Sequence, residues 1–265
     1  MRNALSLILA CGFLAAATQA EDRPWSNTAD VSLVMTGGNS QTQNLTLTNK
    51  FTRKWTNTTL TVLGKVVSAE ATSRVVSYDA VNDVILVTEN TEKSAEAYEL
   101  GTKLKGKLAG EFQWYTNVGW FQDKLSGVDQ RITAGAGFGY TVFKNDTHSL
   151  ASEAGFEFTD ETPVEGDGES FGSARGFLDY VRPLSETSEF TAAAEILSNM
   201  SNSEDLRLNL DFGLASRLSD RLAMKLAYGI KYDGDPIAES VAGTTQKFVY
   251  DKTDTVLSMS LVLNL

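Results

Sequence analysis

The chain has 265 residues, enough for one large domain or two small ones. Hydrophobic residues make up 42% and charged residues 22%, and 34 acidic against 23 basic residues give a net charge of −11, which argues against a nucleic-acid partner. One His and one Cys exclude most metal sites and any internal disulfide, so neither metal nor cofactor is expected. The long apolar run at the N-terminus has no counterpart elsewhere, and a bundle of transmembrane helices, each needing about 20 apolar residues, is excluded.

Arg2 precedes the apolar stretch Leu5 to Ala17, and Thr18-Gln19-Ala20 leads to Glu21. A basic start, a short apolar run and small residues at the last and third-last positions before a cut after Ala20 form the pattern of a secretory signal. Cys11 would leave with it. Read instead as a lipid-attachment cysteine, Ile8-Leu9-Ala10-Cys11 would leave a very short signal. Residues 21–265 then form one exported domain without cysteine, stabilised by something other than disulfides.

From residue 28 onward, segments of alternating apolar and polar residues recur between turn-formers. Leu206, Leu208, Leu210, Phe212 and Leu214 share one face, with Arg207, Asn209, Asp211 and Gly213 on the other. Leu222 to Tyr232 and Leu257 to Leu265 repeat the pattern. Period two means β-strands with one apolar face. Strands are predicted at 28–37, 42–55, 58–70, 95–108, 111–123, 129–143, 148–159, 171–182, 187–200, 204–217, 221–233 and 253–265, twelve in all. Pro24, Pro163 and Pro236 fall outside these segments and Pro183 ends one, so the ladders lose no donors.

The face opposite the apolar residues carries both signs of charge: Glu153, Glu157, Arg175, Asp179, Glu195, Arg207, Asp211, Lys225 and Lys231. In lipid each basic residue near the midplane would cost about 2–4 kcal/mol, so these charges belong in a lumen and the apolar face looks out. The segments are also longer than the usual strand and suit a tilted membrane crossing. The fold class predicted is therefore all-β, a single antiparallel transmembrane β-barrel of about twelve strands. A soluble sandwich or lipocalin-like barrel would show shorter strands and fewer charges opposite the apolar positions. Connections alternate between short and longer, with the long ones at 71–94, 160–170 and 234–252 all on one side. This is the pattern of short periplasmic turns and long outer loops in a Gram-negative outer membrane. Trp55, Tyr115, Phe143 and Tyr180 are expected near the periplasmic interface, with Trp120 and Tyr232 nearer the outer one.

Several local patterns resemble one bacterial family. They are Trp25 before the first strand, Gly37-Gly38-Asn39-Ser40 at the first turn, Tyr98, and Asp123 through Asp129-Gln130-Arg131 into Gly135-x-Gly137-x-Gly139-Tyr140. Glu153-Ala154-Gly155, the turn Asp233-Gly234-Asp235-Pro236 and Lys252-Thr253-Asp254 complete them. Together they resemble the YdiY-like salt-induced outer membrane proteins, an uncharacterised family. The resemblance implies an integral outer-membrane barrel without an assigned reaction. Its departures are Leu265 in place of a terminal aromatic residue and an enlarged loop at 71–94.

The last strand, through Leu261, Leu263 and Leu265, resembles the C-terminal signal read by the barrel-assembly machinery, and is at the same time one more lipid-facing strand. His148 is the one histidine, so any Ser–His lipid hydrolysis must use it. It sits at a predicted periplasmic turn after Lys144-Asn145-Asp146-Thr147, and Ser149 points to the opposite face of a strand. The carboxylates Asp160, Glu161, Glu165, Asp167 and Glu169 are read as a solvated outer loop, and their spacing matches no EF-hand. The lumen charges have two readings. They line a narrow polar channel, or they pair across strands, Glu157 with Arg175 for instance, and close the lumen. The function expected is a non-enzymatic, passive one, an envelope structural protein or narrow pore, and the resemblance implies a link to salt or osmotic stress. Expected partners are outer-membrane lipid and lipopolysaccharide, with the assembly machinery during biogenesis. The rival readings are a lipid-acting enzyme using His148 and a binding protein using the loops at 71–94 and 234–252.

Overall fold

Residues 24–36, 41–79, 82, 84–236, 238–240, 247–249 and 251–264 are described by a computed structural model. The signal segment, the Gly37–Ser40 turn and Leu265 lie outside the described residues. All twelve alternating segments form strands: β1 (Trp25–Thr36), β2 (Gln41–Lys54), β3 (Thr58–Asp79), β4 (Val84–Lys107), β5 (Phe112–Asp123), β6 (Val128–Lys144), β7 (Ser149–Pro163), β8 (Glu169–Pro183), β9 (Ser188–Asn199), β10 (Leu206–Arg217), β11 (Leu222–Asp233) and, after the short β12 (Ala238–Ser240) and β13 (Lys247–Val249), β14 (Thr253–Asn264). Each barrel strand pairs antiparallel with its neighbours, and β14 joins β11 to β1, giving a closed barrel of twelve strands. The fold class expected from the alternation is the one found.

The register of β10 on β11 shows how the alternation sorts side chains. Leu208↔Tyr232, Leu210↔Ile230, Phe212↔Tyr228 and Leu214↔Leu226 share one face, and Arg207↔Asp233, Asn209↔Lys231 and Asp211↔Gly229 the other. The apolar face is exposed: Phe138, Leu178, Leu226 and Leu257 are 65%, 48%, 45% and 70% accessible. A continuous exposed apolar belt of this kind is foreign to soluble proteins and natural in hydrocarbon, so the barrel spans a membrane. Two glycines on the outer face are covered by neighbouring rings, Gly106 by Trp114 and Gly172 by Phe156. The rings replace apolar surface that glycine lacks in the strand.

The start of β1 at Trp25 and the end of β14 at Asn264 lie at the same end, where connections are only three or four residues long (55–57, 108–111, 145–148, 184–187, 218–221). We call it the short-turn end and the opposite one the loop end. Two expectations are corrected at the loop end. The segment 71–94 is not a loop: β3 and β4 pair with each other out to Asp79↔Val84, whereas their barrel neighbours stop at Thr72 and Ala97. The seven residues from 73 to 79 carry this hairpin about 23 Å past the rim, at 3.3 Å per residue. A bulge between Ala69 and Glu70 marks the exit from the barrel, where an extra residue bends the ribbon. The second correction concerns 160–170, because β7 continues to Pro163 and draws Asp160 and Glu161 into the wall. The loop at 234–252 holds the small hairpin of β12 and β13.

Candidate functional site: the charged lumen

Strand alternation turns one polar residue in two toward the axis, and the inward residues of β4 to β11 gather into two layers. The layer nearer the short-turn end centres on Glu153 of β7, whose side chain is 4% exposed. Its carboxylate accepts from Lys103 Nζ and Lys105 Nζ of β4, each at 2.5 Å, and from Arg175 Nη1 of β8 at 3.0 Å. Arg175 also bonds Glu195 of β9 at 2.7 Å and donates to the Tyr115 hydroxyl at 3.1 Å, and Glu195 accepts from Asn209 Nδ2 at 3.0 Å. Lys103 lies over the rings of Tyr115 and Phe177 at 4.6 and 5.2 Å.

Tyr115 is what lets this layer form. It is 2% exposed and lies across β6 and β7 above Gly137 and Gly155, where a Cβ on Gly137 would come within 2.8 Å of the ring and one on Gly155 would collide with the hydroxyl. Glycine is required at both places because the facing strand's backbone and the Tyr115 side chain together take that volume: a Cβ on Gly137 would collide with the Ala154 carbonyl and one on Gly155 with the Ala136 carbonyl. The expected interfacial place for Tyr115 is thus corrected to the lumen. Its neighbours Trp114, Thr116, Val118 and Trp120 take the outward positions, so parity leaves Tyr115 inside with Gln113 and Asn117.

The layer nearer the loop end centres on Glu161, also 4% exposed at its side chain, which holds Arg131 of β6 and accepts from Arg207 Nη1 of β10 at 3.3 Å. Arg207 further bonds Asp205 at 2.9 Å and lies 3.6 Å from Asp233, while Asn199 Nδ2 donates to Asp205 at 2.9 Å. Lys231 of β11 stands 5.4 Å from the ring of Phe121 on β5, six strands away around the ring of twelve. Twelve strands about 4.8 Å apart and tilted by about 40° would close into a circle roughly 24 Å across. A lysine, the 5.4 Å gap and a phenylalanine together reach roughly 15 Å, so the barrel is flattened between β5 and β11 at this level.

Of the charges named from the sequence, Glu153, Arg175 and Glu195 join the first layer, Arg207 joins the second with Lys231 beside it, and Lys225 bonds Asp30 of β1 at 3.3 Å. Asp179 and Asp211 face the lumen outside both layers. The expected Glu157–Arg175 pair is corrected. Arg175 takes Glu153 and Glu195, and Glu157, lying between the layers, accepts from Asn117 Nδ2 at 3.2 Å. Lys103, Lys105, Arg131, Glu161, Asp205 and Asp233 were missed as members. Continuing the parity of Glu153 and Glu157 to Glu161 would have found the centre of the second layer. The wall formed by β14, β1, β2 and β3 differs. Thr28, Ser32, Thr46, Thr48, Ser258 and Ser260 take inward positions on β1, β2 and β14, with Asp30 and Lys50 among them, and β3 adds Leu63, Lys65 and Val67.

His148 lies in the short turn after β6, its ring 4.7 Å from Phe143 and 6.2 Å from Tyr180, with its backbone N–H donating to Asn145 Oδ1 at 2.9 Å. Every one of these contacts serves the turn or the aromatic rim. Leu261 and Leu263 take lipid-facing positions on β14. Among the described residues no cluster of three or more His, Cys, Asp or Glu side chains has the geometry to hold a metal ion.

Known proteins add the following. The uncharacterised protein YdiY of Escherichia coli (strain K12) is 23% identical over 151 residues, 56% of this chain and 58% of that one. The chain thus matches little more than half the length of this relative. Among solved structures, an outer membrane channel from Pseudomonas putida F1 aligns with a TM-score of 0.49 at 10% identity, over 93% of this chain and 97% of that one. The anion-selective porin from Comamonas acidovorans aligns with a TM-score of 0.41 at 8% identity, over 91% and 99%. These values carry no functional argument. A family model described as "Protein of unknown function, DUF481" matches residues 29–264. With the match running from β1 to the last residue of β14, this membrane barrel with its two charged lumen layers belongs to the DUF481 family.

Proposed function

We propose that the protein is a passive barrel of the Gram-negative outer membrane, a narrow pore for water and small ions serving the envelope under salt or osmotic stress. The observation that carries this reading is the asymmetry of the lumen. Charges on β4 to β11 pair with one another in two layers on one side of the lumen, whereas the wall of β14, β1 and β2 sets the hydroxyls of Thr28, Ser32, Thr46, Thr48, Ser258 and Ser260 between a few separate charges, Asp30 and Lys50 among them. Folded or bulky solutes are excluded by the contacts spanning the lumen, and a hydroxyl-lined path suits hydrated ions. The short-turn end then faces the periplasm and the β3–β4 hairpin faces outward, and Leu261, Leu263 and Leu265 serve recognition by the assembly machinery. The charge ladder acts as an architectural wall of the pore.

The test is single-channel conductance of the refolded protein in a planar bilayer. Thr48→Trp, on the hydroxyl wall, is expected to cut the step size severalfold, and Arg207→Ala to change ion preference. A bilayer that stays silent with correctly folded protein overturns the pore and leaves the structural role.

A further inference from the structure

Most of the lipid-facing wall is apolar, but β2 sets a carboxamide in it. By register Ala29, Asn49 and Gly64 stand side by side on the outer face of β1, β2 and β3, while Asp30, Thr48 and Lys65 turn inward beside them. Asn49 is exposed. Leu47 and Phe51 flank it along β2, and Val31, Val62 and Val66 stand diagonal to it on the neighbouring strands. It sits about 10 Å up a ladder that spans about 28 Å along the barrel axis, at 3.3 Å per residue and a tilt of about 40°. The stacked rings of Trp25 and Phe51, 6.3 Å apart, lie nearer the short-turn end, where an aromatic girdle belongs, so the amide is inside the apolar band.

A polar group at that depth is stable only with a partner, because hydrocarbon supplies none. Asn49 Nδ2 reaches the Thr28 carbonyl only at 3.5 Å, and among the described residues nothing donates to Oδ1. Thr116 and Ser152, also outward, fold their hydroxyls back onto the sheet and donate to the carbonyls of Gly135 and Tyr140 at 3.0 and 3.3 Å. Beside the amide the wall is also hollow. Gly106 and Gly172, outward like Gly64, lie under the rings of Trp114 and Phe156, but no atom comes within 4 Å of where a Cβ on Gly64 would stand. The groove left there is bordered by Leu47, Asn49, Val66, Tyr98 and Trp120.

Lipid tails fill such a groove but offer the amide neither donor nor acceptor. A second copy offers both. Inserted in the same orientation, it carries its own Asn49 at the same depth, and a two-fold axis along the membrane normal brings the two amides face to face. Charge complementarity is built into the group, because the N–H of each amide meets the carbonyl oxygen of the other.

We propose that the outer face of β1 to β3, centred on Asn49 and the Gly64 groove, is the interface through which two copies of this barrel pair within the membrane. Asn49 supplies the central hydrogen bonds, and a side chain of the facing copy occupies the groove. The pairing uses no lumen residue and does not depend on the pore reading.

Sedimentation equilibrium of the refolded protein in density-matched neutral micelles is expected to return twice the mass of one chain. Asn49→Leu is expected to weaken the dimer about tenfold, the scale of a side-chain hydrogen-bond pair in a membrane. Asn49→Gln is expected to keep most of the association, and Gly64→Trp, which fills the groove and leaves the amide, to weaken it. In phosphatidylcholine vesicles, with Cys11→Ser so that the introduced thiol is alone, a short bismaleimide is expected to link copies through Leu47→Cys. It is not expected to link them through Leu178→Cys on β8, six strands away around the barrel. The mass of one chain at every protein concentration overturns the proposal and leaves lipid in the groove. A dimer that neither Asn49→Leu nor Gly64→Trp weakens overturns it too, as does equal cross-linking at the two cysteine positions, because the contact then lies elsewhere. Separate substitutions at the amide and at the groove keep the test decisive where one variant fails to fold.

Discussion

Replacing Glu153 by Gln removes a charge and almost no volume, so its cost isolates the electrostatics of the first lumen layer. Glu153 holds Lys103 and Lys105 at 2.5 Å and Arg175 at 3.0 Å with a side chain only 4% exposed. At an effective dielectric of about 20, each such contact is worth roughly 5–7 kcal/mol of gross attraction, most of it cancelled by desolvation. Removing one member of a buried charged group nevertheless costs about 3–5 kcal/mol, because its partners stay buried and unpaired. All three partners soften that cost. Lys103 and Lys105 are 24% and 35% exposed and regain some water, and Arg175 keeps Glu195, so we expect about 3 kcal/mol. Glu157→Gln is the control. Its carboxylate has a neutral hydrogen-bond donor, Asn117 at 3.2 Å, and the new amide oxygen still accepts from it, so the cost stays within about 1 kcal/mol. Urea unfolding of both variants in detergent micelles measures the difference. Equal losses from the two substitutions would refute the reasoning, because they would mean that lumen water screens the layer regardless of pairing.

Four further outcomes rest on the same geometry. Tyr115→Phe should cost about 1 kcal/mol, through loss of the bond from Arg175, whereas Gly155→Ala should cost about 1–3 kcal/mol by pressing its methyl against both the Ala136 carbonyl and the Tyr115 hydroxyl, both read by the same unfolding assay. Leu226→Arg on the lipid face should destabilise the folded barrel by about 2–4 kcal/mol near the midplane, and a much smaller loss would place that face in water. Shortening the β3–β4 hairpin to a turn closing Ser73 on Asn90 should leave the unfolding midpoint unchanged, since beyond Thr72 and Ala97 the two strands pair with each other and not with the barrel; a barrel that loses heat resistance would contradict this.

The strands, their approximate ends and the sorting of side chains into lumen and lipid were legible in the sequence, because an extended chain alternates faces whatever its partners. The alternation from Leu206 to Leu214 needs no neighbour to be read, and even Tyr115 was readable once parity was preferred to its aromatic character. The β3–β4 extension was hidden because its polar and β-branched residues repeat no clean apolar face, and a ribbon wet on both sides needs none. Only the closed structure decided which charges meet. Arg175 passes over Glu157 for Glu153 and Glu195, and Arg207 crosses from β10 to Glu161 of β7, because tilt and stagger set the height of each residue relative to strands several places away. The same closure decided the seam, where β14 pairs with β11 along its length but with β1 only from Thr28↔Asn264 to Val31↔Leu261. Each strand records its own alternation, but whether the last ladder zips fully or parts at Ser32 depends on how twelve tilted strands share one circumference, and no segment carries that sum by itself.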